Sequence, residues 1–318
     1  MDLPALAGSL AEALPGRVVR AAPLAPLTTY RLGGPAAILV SPSSAEDVSI
    51  AARILGESDA GVPVPVLVLG RGSNSVVSAA IDTSLAIHVG AGLAWIEDAG
   101  GEGAVRAGAG TTLPQLANWT ARRGLTGLEF LVSIPGSVGG GVRMNAGAHG
   151  GEIAQRLTSA SVLTLDELTV DEVTVADLGM SYRRSALGPR QIVIDALFSL
   201  EPASPTAIRE GMETYRRHRA ETQPGAALNA GSVFKNPSGD WAGRLVEAAG
   251  LKGFAVGGAR VSEKHANFFV AADGATAQDV FDLVQTVQAR VKAAFGVELE
   301  PEVRFVGEFG PVGAGADS

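Results

Sequence analysis

The sequence predicts a mixed α/β and α+β protein in three consecutive segments, and three observations carry that prediction. Over the first part of the chain, short valine- and isoleucine-rich runs alternate with helix signals, as strands covered by helices do. A middle, glycine-rich part carries strand-like runs separated only by polar turns. The last part repeats apolar residues at helical spacing over long stretches.

Taken in order, AAILV (36–40) reads as a strand. Ser43-Ser44-Ala45-Glu46 has the spacing of a capping box, a hydroxyl followed three residues later by an acid, and predicts a helix through Leu55. VPVLVLG (64–70) reads as a buried strand running straight into GRGSN (70–74). Thr112-Leu113-Pro114-Gln115 repeats the box spacing and opens a helix that ends near Gly124. SVLTL, ELTVDEVTV and IVIDALFSL then predict antiparallel strands, and EPASPT (201–206) predicts a linker. Beyond it, Thr276 with Asp279 caps a helix in which Val280, Phe281, Val284, Val287 and Val291 recur before Gly296 stops it. No internal repeat interrupts this order.

Composition excludes several classes of function. With 318 residues, 46% of them hydrophobic and 18% charged, the chain can bury real cores, which rules out disorder as its main state. It holds 33 acidic against 25 basic residues, a net charge of −8, and its densest basic cluster is Arg216, Arg217 and Arg219 around His218. That is no footprint for a polyanion, so nucleic acid is not an expected partner. Cysteine is absent, which excludes disulfides, thiolate metal sites and thiol nucleophiles. Neither a signal-peptide pattern nor a membrane-length apolar run is present, so a cytoplasmic protein is expected.

Common catalytic motifs are missing too: GxxxxGK[ST], HExxH and GxSxG do not occur. The histidines (His88, His149, His218, His265) are scattered, and no metal site is expected. GAGTTL (108–113) lacks the third glycine of a dinucleotide fingerprint and reads as a turn. Two glycine-rich segments say more. In GRGSN, glycines let successive backbone N–H groups face one anion, although the segment alone reads equally as a strand-to-strand turn. GLEFLVSIPGSVGGGVRMNAGAHGGEI (127–153) has eight glycines, and Glu129, Arg143 and Glu152 are its whole charged set. Such a stretch suits the close wrapping of a flat ligand, or equally a tightly packed loop.

TTYRLGGPA (28–36), LGRGSN (69–74), the 127–153 stretch, YRRS (182–185), AGSVFKNP (230–237), VSEKHANF (261–268) and LEPEVRF (299–305) occur in that order. Through them the chain resembles, over roughly residues 25–308, the UDP-N-acetylenolpyruvoylglucosamine reductase (MurB) family of peptidoglycan precursor synthesis, in its shorter, type II branch. The resemblance implies non-covalent FAD as cofactor, NADPH as co-substrate and a UDP-sugar enolpyruvyl ether as substrate. The fold it implies is a two-subdomain FAD-binding fold of the vanillyl-alcohol-oxidase (PCMH) type plus a C-terminal α+β substrate-binding domain. The boundaries expected are 1–78 and 79–202 for the FAD subdomains and 203–302 for the substrate domain, with the tail 303–318 returning to the first. A monomer is expected.

Residue by residue, the same motifs imply roles. Ser232 matches the proton donor, Arg183 the group that holds the substrate carboxylate, and Glu302 a carboxyl that polarises it or re-supplies Ser232. Gly70, Arg71, Gly72, Ser73 and Asn74 are implied to cradle the FAD pyrophosphate, with Arg71 standing where the family more often has glycine. Ile134, Pro135, Gly136, Ser137, Gly139, Gly140, Asn145 and Ala146 would line the flavin; Arg304, on the strand face of Glu302, would reach flavin or substrate. Lys235 and Asn236 match positions near the substrate diphosphate, and one of Arg216, Arg217 or Arg219 is expected to supply its further cation. His149 replaces the family's usual tyrosine. Two alternatives stay open at this stage: an FAD-linked alcohol or sugar-acid oxidase, and a non-catalytic flavin or nucleotide-sugar binding protein.

Overall fold

The computed structural model describes residues 2–58, 65–81, 85–225 and 227–313. They form two compact units: one of Met1–Ala22, Ala36–Arg71 and Thr83–Arg217, the other of Pro23–Pro35, Gly72–Asp82 and His218–Ser318.

The first unit holds two sheets. Strands Val18–Pro23, Pro35–Val40, Leu85–His88 and Val66–Leu69 lie in that order, the last three parallel. Helices α1 (Leu3–Ala13) and α2 (Ala45–Ser58) turn Leu6, Leu10, Val48 and Leu55 into the core beside Ile38 and Ile87. The second sheet is antiparallel, in the order Thr169–Thr174, Leu157–Thr164, Gln191–Ser199, Ala104–Gly108, Ile96–Asp98. Helix α3 (Leu113–Arg122) has the predicted box, with Thr112 and Gln115 each capping the other's backbone. A short α4 (Val138–Met144) buries Val138 and Val142 in the same core.

Three local readings are corrected here. The cap of α2 is Ser44 with Asp47, one residue later than Ser43 with Glu46: the Asp47 N–H donates to Ser44 Oγ at 3.1 Å. Asp47 in turn accepts from the N–H and hydroxyl of Ser43 at 2.7 and 2.6 Å, which holds its carboxyl below the usual range. The strand read at 64–70 is only half-buried at Val66 to Val68, and Val64 lies outside the described residues. EPASPT is mostly structured: Glu201–Pro202 pairs with Leu125–Thr126, and Pro205 opens α5 (Pro205–Thr222). A proline at the first helical position is preorganised for the start of a helix.

The second unit is built on α6 (Ala242–Ala248) and α7 (Ala277–Phe295), against an antiparallel sheet of Ala255–Val256, Ala259–Val261 and Phe269–Ala271. Thr276 and Asp279 form the predicted box, and Gly296 closes α7 at φ 68°. Val280, Val284, Val287 and Val291 are wholly buried, each contributing about 1.5 kcal/mol. Tyr30 enters this core and donates its phenol to the Phe269 carbonyl at 2.9 Å. From the far end of the chain, strand Arg304–Val306 runs parallel to Ser75–Val77. That strand starts at Arg304, so Glu302 precedes it and the two do not share a strand face as expected.

Candidate active site

In the second unit, two of the sequence-predicted groups are brought together by backbone bonds. Ser232 is half-buried and bridges antiparallel to Phe268, after a turn in which Asn229 accepts from the N–H of Gly231. The Val233 carbonyl, next along, accepts the N–H of Glu302 at 2.7 Å, so carboxyl and hydroxyl come from neighbouring positions on paired segments. Asn74 joins them, donating its amide to the Glu302 carbonyl at 3.0 Å while its own carbonyl accepts from the N–H of Arg304 at 2.9 Å. The Arg304 side chain is exposed. Lys235 is ion-paired with Glu300 at 2.6 Å, and Asn236 caps α6, its side-chain oxygen accepting from the N–H of Ala242 at 3.0 Å.

Asn267 was missed in the sequence, although it lies inside VSEKHANF. It is 4% exposed and holds both backbone groups of Phe234, accepting from the N–H at 3.0 Å and donating to the carbonyl at 2.8 Å. Its own carbonyl accepts from Val233 N–H at 2.8 Å. Replacing Asn267 by leucine orphans two buried backbone groups and is expected to cost about 2–4 kcal/mol. A thermal or urea unfolding series checks this, and a loss under about 1 kcal/mol would show that the clamp is dispensable.

The first unit holds the glycine stretch and Arg183. Residues 136–139 lie along 109–113: the N–H of Leu113 donates to Gly136, that of Val138 to Thr111 and that of Gly139 to Ala109, at 3.0, 2.8 and 2.9 Å. Much of the glycine content serves this packing, since an added Cβ at Gly139 would lie 2.9 Å from Ala109 Cβ and at Gly141 2.7 Å from Ile153 Cδ1. Gly140 differs: it is exposed, and its Cβ would meet only Ser137 Oγ at 3.6 Å. Ser137 and Gly136 are buried, Ile134 and Ala146 half-buried, and Pro135 exposed.

Asn145, wholly buried in the left-handed region at φ 42°, ties this stretch to the YRRS turn. Its amide donates to the Ser181 carbonyl at 3.0 Å and its oxygen accepts from the N–H of Ala154 at 2.9 Å. Ser185 donates to the Arg143 carbonyl at 2.7 Å. Arg183 itself sits at φ 56° and donates to the Gly147 carbonyl at 2.6 Å. A non-glycine residue in that region costs about 1–2 kcal/mol, and three bonds from one loop hold this turn in place. Of the three candidate arginines, Arg216 is engaged by Asn118 at 3.0 Å and Glu213 at 3.6 Å, and burial depresses the Arg219 guanidinium below its ordinary value.

The GRGSN loop fits an anionic cofactor. Gly72 is buried at φ 56°, and the backbone N–H groups of Gly72 and Ser73 meet no acceptor among the described residues. Successive unspent donors in a tight turn are what a diphosphate requires. At the preceding end, a Cβ on Gly70 would lie 2.5 Å from Ser137 Oγ, and Arg71 is exposed.

Comparison with known proteins agrees with both halves. The family described as FAD binding domain matches residues 36–171, and the one described as UDP-N-acetylenolpyruvoylglucosamine reductase, C-terminal domain, matches 223–306. UDP-N-acetylenolpyruvoylglucosamine reductase 2 of Symbiobacterium thermophilum is 45% identical over 294 residues, 92% of this chain and 93% of its own. The Rubrobacter xylanophilus reductase is 44% identical over 288 residues, 90% of this chain and 94% of its own. The crystal structure of UDP-N-acetylenolpyruvylglucosamine reductase (MurB) from Thermus caldophilus has a TM-score of 0.77 at 35% identity, covering 91% of this chain and 98% of that one. Among the described residues no helix is long and apolar enough to cross a membrane, and no group of acidic or histidine side chains is arranged to hold a metal.

Proposed function

The chain belongs to the UDP-N-acetylenolpyruvoylglucosamine reductase family, and from that premise we propose how its residues reduce the enolpyruvyl ether of a UDP-sugar. It is a flavin-dependent reductase, so the oxidase and non-catalytic readings fall away. FAD, when bound, would supply the redox chemistry that couples NADPH to reduction of the enolpyruvyl double bond. The chain's residues then have two tasks: to stabilise the charge that builds on the carbon bearing the carboxylate and on the carboxylate itself, and to deliver a proton there.

Arg183 carries the first task. Its turn is fixed by Asn145 and Ser185, so a cation stands ready where charge develops and needs no reorganisation. Ser232 carries the second. A serine hydroxyl is a weak acid, but the carbon it protonates is far more basic, so transfer is downhill once the geometry is set. Glu302, tied by its backbone to the residue after Ser232, polarises the carboxylate or returns a proton to the Ser232 oxygen. Gly70 to Asn74 hold the pyrophosphate of FAD, and Ile134 to Gly140 with Asn145 and Ala146 frame its ring system. Lys235, Asn236 and Arg304 serve the substrate side, Lys235 by exchanging Glu300 for a phosphate. The division into FAD subdomains 1–78 and 79–202 and a substrate domain 203–302, a monomeric state and a cytoplasmic setting belong to the same proposal.

The observation that carries the reading is Arg183, held at φ 56° with its guanidinium fixed on the Gly147 carbonyl at 2.6 Å. Arg183→Ala is expected to lower kcat/KM for the enolpyruvyl sugar about 10²–10³-fold, the usual loss for one charge-stabilising donor. Rapid mixing with NADPH should bleach the flavin at the parent rate. Equal losses in both half-reactions, or peroxide formation from hydroxy acids in the parent enzyme, would sink the assignment.

A further inference from the structure

Outside the groups already assigned, one side chain in the first unit is strained, aromatic and anchored at two points. His149 stands at φ 54° and Gly150 at φ 83°, consecutive positive values that make the two-residue turn of a hairpin. The hairpin pairs Gly147–Ala148 with Gly151–Glu152. Asparagine or glycine suits the first turn position best, so histidine there is held against a backbone preference. Its ring lies stacked on Tyr215 of α5, centroids 4.3 Å apart and planes 10° from parallel. Its Nε2 is 3.1 Å from the Ser133 oxygen. Ser133 is 7% exposed, and its hydroxyl also lies 3.1 Å from the Phe130 carbonyl, so the contact is set in the buried wall of the unit.

The other end of the hairpin is where Arg183 is held. Gly147 offers its carbonyl to the guanidinium at 2.6 Å, and an added Cβ at Gly147 would lie 2.5 Å from Gly151 O and 3.1 Å from Arg183 Nη1. Ala148 alone separates Gly147 from His149. A displaced hairpin tip therefore moves the guanidinium's acceptor, and a misplacement on the order of 1 Å is enough to cost a reaction up to about 10²-fold.

We infer that His149 is a positioning residue for Arg183, bracing the 147–152 hairpin between Tyr215 and Ser133 so that the Gly147 carbonyl aims the guanidinium at the substrate carboxylate. The inference rests on the assignment of Arg183 made above, and the test separates the two. His149→Asn keeps the turn, since Asn-Gly is the favoured pair, but removes the ring; Tyr215→Ala removes the other half of the stack. With FAD-loaded protein, each is expected to raise KM for the enolpyruvyl sugar about tenfold, the upper range for a lost aromatic pair, while NADPH bleaches the flavin at the parent rate. His149→Asn should unfold no earlier than the parent, Tyr215→Phe should bring KM back to within about twofold, and the double variant should be no worse than the poorer single. Effects that multiply in the double variant, an unchanged KM in His149→Asn, or parallel losses in both half-reactions would overturn the brace. If Arg183→Ala lowers kcat/KM while His149→Asn does nothing, the brace alone fails; if Arg183→Ala itself leaves kcat/KM untouched, the assignment of Arg183 fails first.

Discussion

Ser232→Ala is expected to leave NADPH-driven bleaching of the flavin at the parent rate and to slow reoxidation by the enolpyruvyl sugar roughly 10²–10⁴-fold or more, the worth of a positioned general acid. The frame around the residue makes the experiment readable. Its backbone bridges to Phe268, and the two residues after it are held by Asn267, all through main-chain groups that alanine retains. The hydroxyl makes no hydrogen bond that an alanine would orphan among the described residues, so unfolding should shift by no more than about 0.5 kcal/mol. A kinetic loss confined to one half-reaction then reports chemistry. Slowing of both halves by the same factor would mean that Ser232 is structural, and that the proton comes from elsewhere.

Local signals in the sequence survived folding wherever the deciding interaction is itself local. The boxes of α3 and α7 involve partners three residues apart, and both formed as read. The start of α2 shows the limit of the same rule. Ser43 with Glu46 and Ser44 with Asp47 satisfy the spacing equally, and only the extra bonds from Asp47 back to Ser43 select the second. In EPASPT the composition of a linker hid a helix start, because a proline that ends one element is equally suited to open the next.

The side chains of the candidate site entered by a different route. Ser232, Arg183 and Glu302 are named by their places in the family motifs, and the groups that fix their neighbourhoods lie far along the chain. Asn267 acts on Phe234 across 33 residues, and Asn145 on Ser181 across 36. Nothing in either neighbourhood marks such a partner; a buried asparagine is informative only once its two backbone neighbours are known. The glycine stretch was ambiguous for a related reason. Gly139 and Gly141 are glycine because protein presses on them, and Gly140 has no such cause, a distinction that depends on atoms from Ala109 and Ile153.

That distinction sets the second large expectation. Gly72→Ala should destabilise the protein by about 4 kcal/mol or more and leave it without bound flavin. The residue sits at φ 56°, where alanine costs about 1–2 kcal/mol before any contact is made. Its Cβ would then lie 2.4 Å from the Leu27 carbonyl oxygen and 2.8 Å from Thr28 Cα, backbone atoms that cannot rotate away. The Gly72 carbonyl also accepts from the N–H of Thr29 at 3.3 Å, so relief by moving the loop breaks a further bond. Gly140→Ala is the contrast. Inside α4, with only Ser137 Oγ at 3.6 Å, a methyl should stabilise the flavin-free protein by about 0.5–1 kcal/mol, the gain from alanine in a helix. If the flavin approaches that backbone closely, the same methyl should weaken FAD retention about tenfold, or about 1.4 kcal/mol. Calorimetry of stripped protein and flavin titration read the two effects separately. A Gly72→Ala protein that stays yellow at the parent's melting temperature would refute the loop conformation, while a Gly140→Ala protein with parental FAD affinity would move the flavin off α4.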